Sequence, residues 1–199
     1  CLLLRLEINQ LIAPLKEILQ TLLKPNEKLD IFLTATEVGI DLLLKMKGNQ
    51  SLIVSTLDLL KTFALTHKLA RLTFVNDQEE WPVVTFKTPQ VRFGAYSVEV
   101  SADGFLQTSS EADHLLTSLI LKEFPSEHRK IADLFCGRGT FSLPLCKQGK
   151  VDAYEMDGKA LKALAQAAKI QKLPIQIYAR NLFSDPVRIE QLESYQSVI

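Results

Sequence analysis

From Ile131 to the last residue, short apolar runs alternate strictly with stretches of helical periodicity. Ile131 to Phe135 reads as a strand and about Thr140 to Gln148 as a helix. Val151 to Met156 is a second strand, followed by a helix from about Gly158 to Lys172. Pro174 to Tyr178 is a third strand, Pro186 to Tyr195 a third helix, and Val198-Ile199 opens a fourth strand. Strict alternation calls for an α/β fold with a doubly wound parallel sheet, because successive parallel strands need right-handed crossovers that leave helices on the faces. Ahead of this half, Ser110-Glu111-Ala112-Asp113 has the form of a capping box and leads into a helix with Leu115, Leu116, Leu119 and Ile120 on one face.

The first part of the chain is less regular. Apolar residues at Ile8, Leu11, Ile12, Leu15, Ile18, Leu19 and Leu22 predict an amphipathic helix over Glu7 to Leu23, with Pro14 breaking it or opening its main part. Leu29 to Val38 and Ile40 to Met46 read as strands around Gly39, Ser51 to Leu65 as a helix, Leu69 to Val75 as a strand, and Trp81 to Val100 as short strands or extended loop. Residues 1–104 therefore predict a small α+β domain. His67 reads as a helix-end residue and Trp81 as core or rim.

With 199 residues, 47% of them hydrophobic and 23% charged, the chain can bury a sizeable core, which excludes disorder. Its 23 Lys and Arg cancel its 23 Asp and Glu, so no basic tail or block advertises nucleic acid. Cys1, Cys136 and Cys146 match neither a disulfide framework nor a C-x-x-C metal pair. With no long apolar run and no signal peptide, they point to the reducing cytoplasm. A start at Cys1 and an apolar stop at Ile199 lead us to expect a piece of a longer protein.

Chemistry concentrates at Asp133-Leu134-Phe135-Cys136-Gly137-Arg138-Gly139-Thr140-Phe141, a G-x-G turn between strand and helix at the carboxyl edge of the sheet, where open α/β sheets bind ligands. Glu155 closes the next strand, where a carboxylate can accept both hydroxyls of an adenosine ribose. The pair predicts a nucleoside-cofactor site, with NAD and S-adenosylmethionine as the candidates. The dinucleotide fingerprint wants a third Gly for close helix–strand packing, and Ser142 stands in that place. Neighbouring Asp157 suits the N-cap of the following helix.

The run Ile131-Ala132-Asp133-Leu134-Phe135-Cys136-Gly137-Arg138-Gly139-Thr140-Phe141-Ser142-Leu143-Pro144-Leu145 closely resembles the first cofactor motif of the RNA uracil-5-methyltransferases that modify tRNA and 23S ribosomal RNA. Phe105-Leu106-Gln107-Thr108-Ser109 resembles that family's F-x-Q-x-N segment, and Asn181-Leu182 falls where the family has a polar residue near the adenine. The resemblance covers about residues 105–199 well and the first hundred loosely. It implies a central α+β domain over 1–104, followed over 105–199 by the first half of a Rossmann-like class I methyltransferase fold. It also implies that Gln107, Phe135, Gly137, Gly139, Thr140, Glu155 and Asn181 line an S-adenosylmethionine pocket, with tRNA or rRNA as the partner of the longer protein.

This sequence departs from the family at Ser109 for Asn, at Ala167 and Gln171 for two Asn, and at Cys146 for Ala. In the family a D-P-P-R segment follows the fourth strand, and a nucleophilic Cys and a Glu base lie further on. The thiolate adds to uracil C6, C5 then attacks the sulfonium methyl, and the base removes the C5 proton. None of these groups falls within this sequence, so the resemblance implies methyl transfer from S-adenosylmethionine to C5 of a uridine in the longer protein, with this chain binding cofactor weakly and inactive by itself; the alternatives are a non-catalytic RNA- or cofactor-binding module and an NAD-dependent oxidoreductase. Cys136 belongs to the cofactor loop rather than to this chemistry, and Cys146 reads as a packed thiol. Cys1 falls where some members keep the last of four cysteine ligands of an iron–sulfur cluster, and one Cys cannot hold a cluster. A sheet that stops at Val198-Ile199 further leads us to expect that its open edge is hidden by dimerisation, by swapping of elements, or by rearrangement of the last helix and strand.

Overall fold

The computed structural model describes residues 3–48, 52–77, 79–107, 109–124 and 129–199, and gives only the backbone of Arg129. The chain separates into two compact units, Cys1–Gln90 and Val91–Ile199.

In the first unit, α1 (Leu6–Leu22) buries the stripe Ile8, Leu11, Leu15, Ile18 and Leu19. Pro14 lies inside this helix, which continues through it with one internal hydrogen bond fewer, since proline has no N–H. Strands β1 (Leu29–Thr36) and β2 (Gly39–Met46) form an antiparallel pair closed at Thr36 opposite Gly39, whose φ of +132° suits the turn. Helix α2 (Val54–Thr66) then carries the chain to β3 (Arg71–Val75), parallel to β2, and β4 (Glu80–Thr85) returns antiparallel to β3. The sheet order is β1-β2-β3-β4. Leu42 and Leu44 of β2 join Leu72, Phe74, Leu60 and Phe63 in one core, which also takes the buried stripe of α1. As expected, His67 caps the end of α2, and Trp81 packs at the rim of this core with its ring 5.8 Å from that of Phe74. Asp41, 2% exposed, is held by cross-strand Arg71, whose Nε and Nη2 donate to its two oxygens at 2.9 and 2.6 Å. That fork lets a carboxylate sit inside a sheet.

The second unit contains a hairpin of β5 (Gln90–Phe93) and β6 (Tyr96–Glu99), then α3 (Ser110–Glu123), β7 (Arg129–Leu134), α4 (Ser142–Leu145), β8 (Gly149–Glu155) and α5 (Gly158–Gln171). It ends with β9 (Ile175–Ala179), α6 (Ile189–Leu192) and β10 (Ser197–Val198). β7 to β10 form one sheet in the order β10-β7-β8-β9 with every pairing parallel, the α/β arrangement that the alternation of strand and helix implies. On one face Ala153 packs with Leu161 and Leu164 of α5, and Phe93 and Val98 of the hairpin join the same cluster. That packing draws residues 91–104 into the second compact unit, whereas the sequence reading divided the chain at 104. On the other face Ala132 and Tyr154 pack with Leu182, Tyr178 and Tyr195.

Three local expectations change. The cap of α3 is Ser109, whose Oγ accepts from the Ala112 N–H at 3.0 Å, and Leu115, Leu116 and Leu119 of that helix are exposed. The helix foreseen over about Thr140 to Gln148 is one turn, since Pro144 is tolerated only near a helix start and Gly149 already opens β8. The third helix also shrinks to one turn, because the Tyr195 hydroxyl is tied to Asp152 Oδ2 at 2.6 Å and to Tyr154 at 2.7 Å, which turns the chain toward β10. Among the described residues no helix is long and apolar enough to cross a membrane.

Candidate functional site

Beyond the carboxyl end of β7 the backbone enters left-handed conformations at Phe135 (φ +61°), Gly137 (+56°) and Gly139 (+95°). The Cys136 N–H donates to the Tyr154 carbonyl of β8, so the loop springs directly from the sheet edge. The two glycines serve different needs. A Cβ on Gly139 would overlap Leu164 of α5 and press on Leu143, so this position is empty to let α4 and α5 close together. A Cβ on Gly137 would meet nothing within 4 Å, which leaves its backbone open for a ligand. Ser142, in the place of a third glycine, is fully buried, and its Oγ donates to Asp133 Oδ2 at 2.5 Å. Helix α4 is thus bolted to β7 rather than pressed against it through a bare backbone.

Glu155 reaches across from β8. Its Oε2 accepts the Gly137 N–H at 3.0 Å, and its Oε1 accepts the Met156 and Asp157 N–H groups at 2.7 and 3.0 Å. Asp157 caps α5 as the sequence suggests, accepting from Lys159 and Ala160 N–H. Phe135, non-glycine at positive φ, points an exposed ring at exposed Phe183, with centroids 5.2 Å apart. Asn181 Oδ1 accepts the Phe183 N–H at 3.0 Å and shapes the turn that presents this ring.

Burial raises the Asp133 carboxyl from 3.8 to about 6, against the opposing Ser142 hydrogen bond. Burial, with the charges of Asp133 and Glu155, pushes the Cys136 thiol well above its usual range, and burial raises Cys146 as well. Both are thiols at neutral pH and poor nucleophiles.

Of the residues singled out in the sequence, Phe135, Gly137 and Glu155 meet directly around the loop, and Gly139 underpins it. Thr140 is half-buried at the loop's end. Gln107 is exposed on the segment whose Leu106 packs against the cluster containing Cys136 and Leu143, and Thr108 lies outside the described residues. Asn181 lies in the turn after β9, where its Oδ1 accepts the Phe183 N–H. The sequence reading missed Arg138 and Phe183. Phe183 stood two positions beyond Asn181, and Arg138 stood between the two glycines. Cys1 lies outside the described residues, and among those described no cluster of three His, Cys, Asp or Glu is placed to hold a metal ion.

A parallel sheet with a glycine loop and a strand-end acid at its carboxyl edge is a Rossmann-like architecture. Residues 109–193 match the methyltransferase small domain family. The chain is 34% identical over 173 residues to an RNA methyltransferase of Brucella melitensis, covering 83% of this chain and 39% of that protein. It is 40% identical over 113 residues to one of Agrobacterium fabrum, covering 56% and 27%. It is 28% identical to the 23S rRNA (uracil(1939)-C(5))-methyltransferase of Tolumonas auensis, covering 74% and 33%. It thus spans less than half the length of these relatives. The crystal structure of Pyrococcus abyssi tRNA (uracil-54, C5)-methyltransferase in complex with S-adenosyl-L-homocysteine superposes with a TM-score of 0.62 at 13% identity, covering 85% of this chain and 45% of that one, a likeness of fold. The resemblance read from Asp133 to Leu145 holds to this extent: the chain is similar to proteins named RNA methyltransferases.

Proposed function

We propose that the chain is the cofactor-binding part of an S-adenosylmethionine-dependent RNA methyltransferase that acts at C5 of uridine. The observation that carries this reading is the junction of Gly137 with Glu155, where an open glycine backbone and a strand-end carboxylate stand side by side. S-adenosylmethionine would supply the sulfonium methyl. Glu155 would hold the ribose hydroxyls, the Gly137 backbone would let the ligand approach, and the Phe135 ring would give a flat base a surface to lie on. Gln107, Gly139, Thr140 and Asn181 complete the proposed lining. RNA as partner and the cytoplasm as compartment belong to the same reading, supported by the names of the relatives.

Neither described cysteine offers a thiolate, so we expect this chain alone to bind cofactor without methylating RNA. Self-association along the sheet edge at β10, where Val198 is exposed, belongs to the same proposal, and light scattering over a concentration series reads it directly.

The test of the cofactor is a thermal shift. A ligand that binds only the native state stabilises it by mass action, so S-adenosylhomocysteine should raise the melting temperature in a concentration-dependent way. A rise with NAD and none with S-adenosylhomocysteine would reverse the assignment to the dinucleotide class.

A further inference from the structure

The side chain of Arg138 has no assigned task. It projects from the middle of the glycine loop, yet it is 4% exposed. Its Nη2 donates to Ser101 Oγ at 2.9 Å, while Nε and Nη1 have no hydrogen-bond partner. The guanidinium lies against the backbone of Gly104, so closely that a Cβ there would overlap it. Asp103 and Asp157 oppose the penalty of its burial through space.

These contacts converge on one short turn. Ser101 to Gly104 is closed by a hydrogen bond from Gly104 N–H to the Ser101 carbonyl at 3.0 Å. Arg138 grips it at Ser101 and over Gly104. Lys159, in the first turn of α5, holds Asp103 at 3.1 and 3.2 Å. The turn is therefore fastened once to the glycine loop and once to the start of α5, and the chain that leaves it runs straight into Phe105, Leu106 and Gln107. A position needed only to fill space would take an apolar side chain of similar length, with no buried donors left unpaired.

We infer that Arg138 is a positioning residue that pins the Ser101–Gly104 turn to the glycine loop and so holds the Phe105–Gln107 strap at the mouth of the cofactor site. Gly104 is glycine because the guanidinium occupies the place of its side chain. The inference rests on the cofactor-site reading for its consequence, but the pinning itself is a property of the free chain.

The experiment combines amide hydrogen exchange of the free chain with calorimetric titration of S-adenosylhomocysteine, on wild type, Arg138→Met, Arg138→Lys and Gly104→Ala. In Arg138→Met and Gly104→Ala, the Gly104 amide, bonded to the Ser101 carbonyl, should lose protection while the strands of the sheet keep theirs, with an unchanged melting temperature. Affinity should fall about tenfold in both, the worth of one charge-assisted contact. Arg138→Lys should recover part of the protection and of the affinity. Wild-type protection of the Gly104 amide in Arg138→Met would overturn the inference, and so would loss of protection spread over the whole sheet in both variants. If local protection falls in the variants but the wild type binds no S-adenosylhomocysteine, the pinning stands and the cofactor reading fails.

Discussion

Glu155 Oε2 accepts the Gly137 N–H at 3.0 Å, and two further N–H groups, of Met156 and Asp157, occupy Oε1. A carboxylate accepts about four hydrogen bonds, so three of its places are taken by its own backbone. Two ribose hydroxyls can bind only if at least one of these bonds is exchanged, and the bond to Gly137 is the one that joins separate elements. Glu155→Ala should therefore speed exchange of the Gly137 amide in the free chain while the β8 amides stay protected. Unchanged exchange at Gly137 would show that Glu155 does not hold the loop.

The two glycines of the loop should separate stability from binding. Gly139→Ala combines a φ of +95° with overlap on Leu164 and should cost about 2–4 kcal/mol in a urea melt. Gly137→Ala meets open space and should cost about 1–2 kcal/mol, the strain of its positive φ, while it weakens cofactor binding. Equal losses of stability in the two variants would contradict the division of roles.

Asp133 gives the fold a pH signature. Its carboxyl rises from 3.8 to about 6 in the folded chain, so the native state holds a proton that the unfolded state has released. Stability from this group is full below about pH 4, declines as pH rises toward 6, and stays lost above it, by up to about 3 kcal/mol. Replacing Asp133 with Asn should remove that limb. Urea melts at pH 4.5 and 7 should show a smaller decline in Asp133→Asn than in wild type, and an identical decline in both would refute it.

The loop and the sheet were legible in the sequence because their signals are local. Alternating runs give the parallel strands, Gly137 and Gly139 mark the turn, and Asp157 announces α5 by its place before a helical period. What escaped the sequence depends on residues distant along the chain. Tyr195 reaches Asp152 and shortens α6, and Phe93 and Val98 reach α5 and extend the second unit back to Val91. Arg138 finds its partner at Ser101 in the segment that follows β6, and no spacing rule connects those two positions.

The first unit contains a buried ion pair between Asp41 and Arg71. Asp41→Ala removes the carboxylate that accepts from the Arg71 fork inside the sheet and should cost about 3 kcal/mol, toward the lower end for breaking such a pair because Arg71 keeps some exposure. A urea melt that resolves the two units should show the loss in the transition of the first.

Calorimetric titration of S-adenosylhomocysteine into the wild-type chain and Glu155→Ala tests the central claim most directly. Saturable one-to-one binding by the wild type, weakened by about 1.5–3 kcal/mol in the variant, is the predicted result. Equal affinity in the two proteins, or no binding by the folded wild type, would contradict it.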